Sequence, residues 1–174
     1  MSDAAPALET EARRVTIRPI SGDDEVRVCA EIMATSEPWV TLGRDLERSL
    51  AILRDRELQE VYVALHDDRV VGFVILIMKG AFTGYIRTVA VHADWRSIGV
   101  GRRLIRFAEE RIFRESPNVF MCVSSFNVRA KALYERLGYE TVGELRDYII
   151  RGHSEWLLRK TVGPYAEFRR AETE

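Results

Sequence analysis

The sequence predicts one α/β domain, α+β in its mixing of elements, built on a mixed sheet of about seven strands flanked by about four helices. Three observations carry this. Segments of strand period alternate with segments of helical period along the whole chain. No linker, repeat or low-complexity tract interrupts the body. At 174 residues the chain is long enough to bury most of its apolar surface in a single core. The expected boundaries are a disordered tail over 1–12, a folded domain over 13–162 and a second tail over 163–174.

Arg13 to Ile20 alternates, with Val15, Ile17 and Pro19 opposite Thr16 and Arg18, and reads as an edge-tolerant first strand. Ser21-Gly22-Asp23-Asp24 turns and caps a helix to about Ala34, with Val26, Ala30 and Met33 on one face. Thr35-Ser36-Glu37-Pro38-Trp39 breaks it. A second amphipathic helix carries Leu42, Leu46, Leu50 and Leu53. Glu60–His66 and Arg69–Met78 are strands joined at Asp67-Asp68, a hairpin signal. After a loop from Gly80 to Gly84 comes a strand from Tyr85 to Val91. A glycine-containing turn then leads into a helix through about Arg114. Val119–Val123 is a buried strand, and Asn127–Leu137 a helix stopped by Gly138. From Glu140 through Trp156 and onward, two strands turn near Gly152.

Composition narrows the function. The net charge of -1 lacks the basic excess of a phosphate-anchored nucleic-acid binder. The longest apolar run, Val70 to Met78, has strand length, so no membrane association is expected. Cys29 and Cys122 show no C-x-x-C spacing and read as small buried hydrophobes in a reducing compartment. The opening M-S-D-A-A-P-A-L-E-T-E lacks a leader pattern. The expectation is a cytoplasmic protein that binds no metal.

The segment Arg96-Ser97-Ile98-Gly99-Val100-Gly101-Arg102-Arg103-Leu104 lies between a strand and a helix. Free N–H groups at a helix start, reinforced by the helix dipole, favour an anion. The glycines permit close backbone approach, and the arginines add local positive charge. Neither common nucleotide loop fits, since no Gly-Lys-Ser/Thr follows and the third glycine of a dinucleotide turn is missing. By itself the segment equally suits a helix-capping turn with solvated arginines.

A second motif decides between them. Asn127, Ala130, Leu133, Tyr134, Gly138 and Tyr139 match the pattern N-x-x-A-x-x-L-Y-x-x-x-G-[FY], and Arg96, Gly99 and Gly101 match [QR]-x-x-G-x-[GA]. With both motifs in order, the chain resembles the GNAT family of N-acetyltransferases from about Arg13 to Val162. The resemblance implies a splayed pair of central strands, acetyl-CoA as acyl donor, and direct attack by an amine in a ternary complex. By position, it places Val89, Ala90 and Val91 along the pantetheine arm. Arg96, Ser97, Ile98, Gly99, Val100, Gly101 and Arg102 fall around the pyrophosphate, Asn127 falls on the cofactor, and Tyr134 at the departing sulfur. A homodimer is an arrangement common in that family, while the residues themselves do not give the oligomeric state.

Residue chemistry suits those places. A phenol held at the sulfur can donate a proton or stabilise the developing charge. Direct attack needs no nucleophilic side chain, and no Ser-His-Asp signature is present. Each assignment has a plainer counterpart: Tyr134 as a core aromatic between Leu133 and Leu137, and Asn127 as a helix N-cap. Glu37 and Trp39 suit an acidic and aromatic wall for a cationic amine, or a Pro-broken loop whose Trp plugs the core. The family's glutamate positions hold Tyr85 and Cys122, so the base is left among Glu37, Asp147, His153 and a water relay through Tyr85. A CoA-binding sensor without turnover, or a scaffold that binds no CoA, are the other classes open to such a sequence.

Overall fold

A computed structural model describes residues 14–169. The expected tail over 1–12, residue 13 and the last residues from 170 lie outside them. In chain order the elements are β1 (Thr16–Pro19), α1 (Gly22–Ala34), α2 (Leu46–Arg54), β2 (Gln59–His66), β3 (Arg69–Ile77), β4 (Tyr85–Val91), α3 (Val100–Phe113), β5 (Asn118–Ser124), α4 (Val128–Arg136), β6 (Glu140–Leu145) and β7 (Glu155–Thr161). The strands form one seven-stranded sheet in the order β1-β2-β3-β4-β5-β7-β6. Only β4 and β5 run parallel.

The sheet is covered on both faces. Phe73 and Ile75 of β3 pack with Val61, Val63 and Leu65 of β2 against Cys29, Ala30 and Met33 of α1 and Leu53 of α2. Val74 and Leu76 point the other way, into a second cluster with Leu104, Ile105, Ala108 and Ile112 of α3 and Met121, Val123 and Leu158 of the far strands. Burial on both faces explains why β3 reads as an unbroken apolar run rather than an alternation.

Local chemistry sets most boundaries. Asp67 and Asp68 both have positive φ, 46° and 62°, which closes the β2–β3 hairpin with the twist its strands require. The second helix starts later than its leucine spacing suggests. Asp45 caps it by accepting from Arg48 N at 2.8 Å, and Leu42 is buried in the preceding turn. The Pro164–Arg169 end is not all irregular, since Tyr165–Glu167 forms a short 3-10 turn.

The central feature lies between β4 and β5. Their pairing consists of Tyr85 with Phe120 and Ile86 with Met121, and then stops. On the opposite edge, β3 pairs Ile75 with Thr88 and Leu76 with Ile86, so Arg87 is an extra residue on β4. Such a bulge bends its strand and sharpens the twist. Beyond it, β4 diverges from β5 and leaves a wedge-shaped gap.

Candidate active site

The gap widens into a cleft of about 1400 Å³ that runs from the start of α3 to the ends of α1, β5 and β7. Of the residues assigned from the sequence, Glu37, Trp39, Tyr85, Val89, Ala90, Val91, Arg96, Ser97, Ile98, Gly99, Gly101, Arg102, Asn127 and Tyr134 all line it. Val100 does not. Its side chain is buried in the core beneath α3, so it can offer the cleft only its backbone.

At one end the cleft is built from backbone. His92 N donates to Val71 O of β3 at 2.9 Å. Strand alternation therefore turns the N–H and C=O groups of Val89 and Val91 away from β3, into the gap. Ser97 and Gly99 both have positive φ, 69° and 105°, which brings the chain round into α3. Gly99 is the N-cap and has no side chain to satisfy the first-turn N–H groups. The other cleft helix differs, because Asn127 caps α4 by accepting from Ala130 N at 3.3 Å.

Gly101 is the more telling glycine. Its φ is not positive, and a Cβ there would meet only Val91 Cγ2, at an ordinary 3.6 Å. Neither the backbone nor the packing requires glycine, although a helical glycine costs about 1 kcal/mol relative to alanine. What a side chain at this position would occupy is the cleft itself.

Arg96 is placed differently from a simple phosphate ligand. Its Nε donates to Val91 O at 3.0 Å and its Nη2 to Ser36 Oγ at 2.6 Å. It fastens the turn to β4 and to the chain after α1, and it takes the Val91 carbonyl out of use for a ligand. Arg129, which the sequence reading passed over, donates from Nη2 to Ser97 Oγ at 2.7 Å and ties α4 to the same turn. Arg102 remains exposed at the cleft mouth.

Tyr134 lies on α4 with its ring against the α3-side core and 6.1 Å, edge-on, from Tyr139. Among the described residues its hydroxyl has no hydrogen-bond partner, and burial pushes its pKa up to about 12. The phenol thus keeps its proton at neutral pH and faces the cleft unengaged.

The opposite end holds the side chains of the splayed strands and the loop after α1. Glu37 Oε2 accepts from Thr41 N at 3.2 Å, and Trp39 packs partly against the α1–α2 core while still lining the cleft. Trp39 therefore meets both the core and the cleft. Tyr85 and Cys122, from adjacent strands, interact through hydroxyl and thiol, and burial is the chief cause raising both pKa values. Asp147 and His153 are elsewhere: Asp147 Oδ1 accepts from Gly152 N at 2.6 Å in the β6–β7 turn, and His153 stacks edge-on with Phe126 at 5.1 Å.

A carboxylate that the sequence reading missed lies here instead. Glu155 is 4% exposed and lines the cleft from β7, directly across from Ser124 in the β5–β7 register. Ser124 Oγ donates to its Oε1 at 2.5 Å. Burial raises its pKa, against the lowering pull of Ser124 and Arg44. Among the described residues, no group of three His, Cys, Asp or Glu is arranged to hold a metal ion, and no helix is long and apolar enough to cross a membrane.

Comparison with known proteins accords with this geometry. An uncharacterized protein of Mycobacterium leprae is 29% identical over 178 aligned positions, covering 89% of this chain and 46% of that protein. An uncharacterized N-acetyltransferase of Methanocaldococcus jannaschii is 32% identical over 105 positions, covering 57% of this chain and 64% of that protein. This chain thus spans about half to two thirds of the length of these relatives. Among solved structures, an aminoglycoside 6'-N-acetyltransferase complexed with coenzyme A superposes with a TM-score of 0.71 at 17% identity, covering 86% of this chain and 98% of that one. A sequence model of the acetyltransferase (GNAT) family matches residues 26–139, which include the bulged strand, the glycine turn and Tyr134, and the chain belongs to that family.

Proposed function

We propose that the protein transfers an acetyl group from acetyl-CoA to a primary amine, by direct attack within a ternary complex. The observation that carries this reading is the wedge between β4 and β5, which ends at the uncapped start of α3 beside Gly101. The residues fit the donor. The backbone groups of Val89 and the N–H of Val91 that face the gap suit the amides of a pantetheine arm lying as a strand substitute. The first-turn N–H groups of α3 and the bare Gly101 suit a pyrophosphate, with Arg102 supplying charge at the mouth. Acetyl-CoA supplies an activated thioester, so the chain need only orient it, exclude water and manage protons.

The amine nitrogen forms the new C–N bond, and the C–S bond breaks with its electron pair on sulfur. Tyr134 is the group that meets this charge. Full proton transfer from a phenol at about 12 to a thiolate whose conjugate acid has a pKa of about 8.5 is uphill by about 5 kcal/mol. A thiolate leaving inside the cleft is itself desolvated and more basic, which narrows that gap. Tyr134 therefore acts first as a hydrogen-bond donor and completes the transfer as the sulfur moves away.

Amine-dependent release of CoA thiol from acetyl-CoA tests the reading. Tyr134→Phe should lower kcat by roughly 10²-fold while leaving the affinity for acetyl-CoA little changed. CoA binding without thiol release from any amine would leave a binding module in place of an enzyme.

A further inference from the structure

Two groups at the acceptor end of the cleft are not explained by donor binding. One is Glu155, whose Oε1 is held by Ser124 while Oε2 has no hydrogen bond among the described residues and is not sealed from the cleft. The other is Arg44, in the loop between α1 and α2. It lines the same cleft and is partly buried, and among the described residues its guanidinium makes no hydrogen bond or ion pair. Burial and the neighbouring Arg87 both act to lower its pKa. Arg87 has an outlet for its own donors, since its Nη1 bonds Gln59 Oε1 at 2.9 Å.

A half-buried cation without a partner is costly, and an anion supplied by a ligand would relieve it. Arg44 and Glu155 interact electrostatically, yet they do not come within the 4.0 Å of an ion pair. Both line the same cleft and neither neutralises the other in an ion pair, so each charge is available to a bound molecule that carries the two complementary charges. We infer that this pair is the acceptor subsite, with Glu155 receiving the ammonium and its proton and Arg44 receiving a carboxylate, so that the acceptor is a small amino acid with its carboxylate free. The inference rests on the activity proposed above and names the substrate class of the same site. The Arg44 guanidinium is a planar fork that matches a carboxylate in two parallel bonds, and the neighbouring Arg87 already donates from Nη1 to Gln59 Oε1.

The proton balance closes. Of the ammonium's three protons, one stays in the amide nitrogen. One passes to Glu155 and on to water, freeing the lone pair that attacks the acyl carbon. The last leaves the nitrogen to water as the tetrahedral adduct collapses, while Tyr134 gives its proton to the departing sulfur and regains one from water. The groups facing Glu155 are Arg44 from the loop, Ser124 and Cys122 from β5, and Tyr85 from β4. Among them Arg44 carries the fixed charge. Tyr85 and Cys122, raised as they are, stay neutral where a carboxylate ionises.

The test uses calorimetric binding and thiol release together, on the full chain saturated with CoA or acetyl-CoA respectively. The probes are the standard L-amino acids, their carboxamides, and ethanolamine phosphate. At least one free amino acid should bind and turn over about tenfold or more better than its amide. Arg44→Gln should erase that preference without weakening the amide. Glu155→Gln should lower kcat by roughly 10²-fold and flatten the acid limb of the pH profile. Thermal melts confirm that both variants are folded. Amides that bind as well as acids, an Arg44→Gln variant that keeps the preference, or a preference for ethanolamine phosphate would each overturn the inference. Arg44-dependent binding of an amino acid without any thiol release would uphold the subsite and overturn the catalytic reading, so the two failures are distinguishable.

Discussion

At the scale of single residues, the site depends on groups held in unfavourable states. Glu155 is a carboxylate buried with one strong hydrogen bond, and its pKa is raised by that burial. Because the folded-state value lies above the unfolded one, protonation favours the native state. The contribution of this one group to stability is therefore greatest below the unfolded value of about 4.3 and falls as pH rises through the folded value. Glu155→Gln keeps an acceptor for Ser124 and removes the buried charge. It should raise the melting temperature at neutral pH, with the advantage shrinking toward pH 4, even as activity falls. A melting temperature that drops at neutral pH would mean that the charge stabilises the fold. Gly101 shows the same trade in milder form, a helix position left bare at the expense of helix propensity.

At the scale of elements, the cleft depends on how β4 begins and where it bends. Gly84 precedes β4 with φ of 89°, and its carbonyl accepts from Phe120 N at 2.9 Å. An added Cβ would stand 2.5 Å from Asn118 O and 2.6 Å from Ile112 Cγ2. No side chain fits there without moving β5 or α3. Gly84→Ala should therefore destabilise the protein by about 2–5 kcal/mol, from the left-handed backbone and overpacking combined, as read by denaturant unfolding. A loss below about 0.5 kcal/mol, the usual range of surface substitutions, would show that the β4–β5 junction is not fixed by this contact. Arg96 and Arg129 then brace the turn that follows, from Ser36 on one side and Ser97 on the other.

What the sequence made legible divides along the same line. Local signals were sufficient for Tyr85–Val91, for the Asp67-Asp68 hairpin and for the Asn127 cap, because turn chemistry and periodicity act over a few residues. The cleft-lining residues around Gly99 and Tyr134 were legible because each belongs to a motif contiguous in sequence. The opposite end of the cleft was not. Glu155 follows His153 and Ser154 at the edge of a turn, where a charged residue ordinarily meets water. Only its register with Ser124 across β5 and β7 carries it under the cleft. The bulge at Arg87 and the unpaired state of Arg44 likewise arise from pairings distant in sequence. Arg96 was found by its motif, but its engagement with Val91 and Ser36 could come only from the fold.

At the scale of the whole molecule, two cores on opposite faces of one sheet hold the two halves of the cleft. The α3 side presents a helix start and the Tyr134 hydroxyl, and the α1–α2 side presents Trp39 and Arg44. The sheet is continuous up to Ile86 and open beyond it, and the proposed function has donor and acceptor meet where the two strands part. The central claim is that this opening binds acetyl-CoA through the start of α3. Calorimetric titration of acetyl-CoA into the wild-type protein and Gly101→Val, with melting curves for both, tests it most directly. Saturable binding to the wild type, weakened at least about tenfold in the variant with an essentially unchanged melting temperature, is the expected result. Equal affinity in the two proteins, both folded, would contradict it.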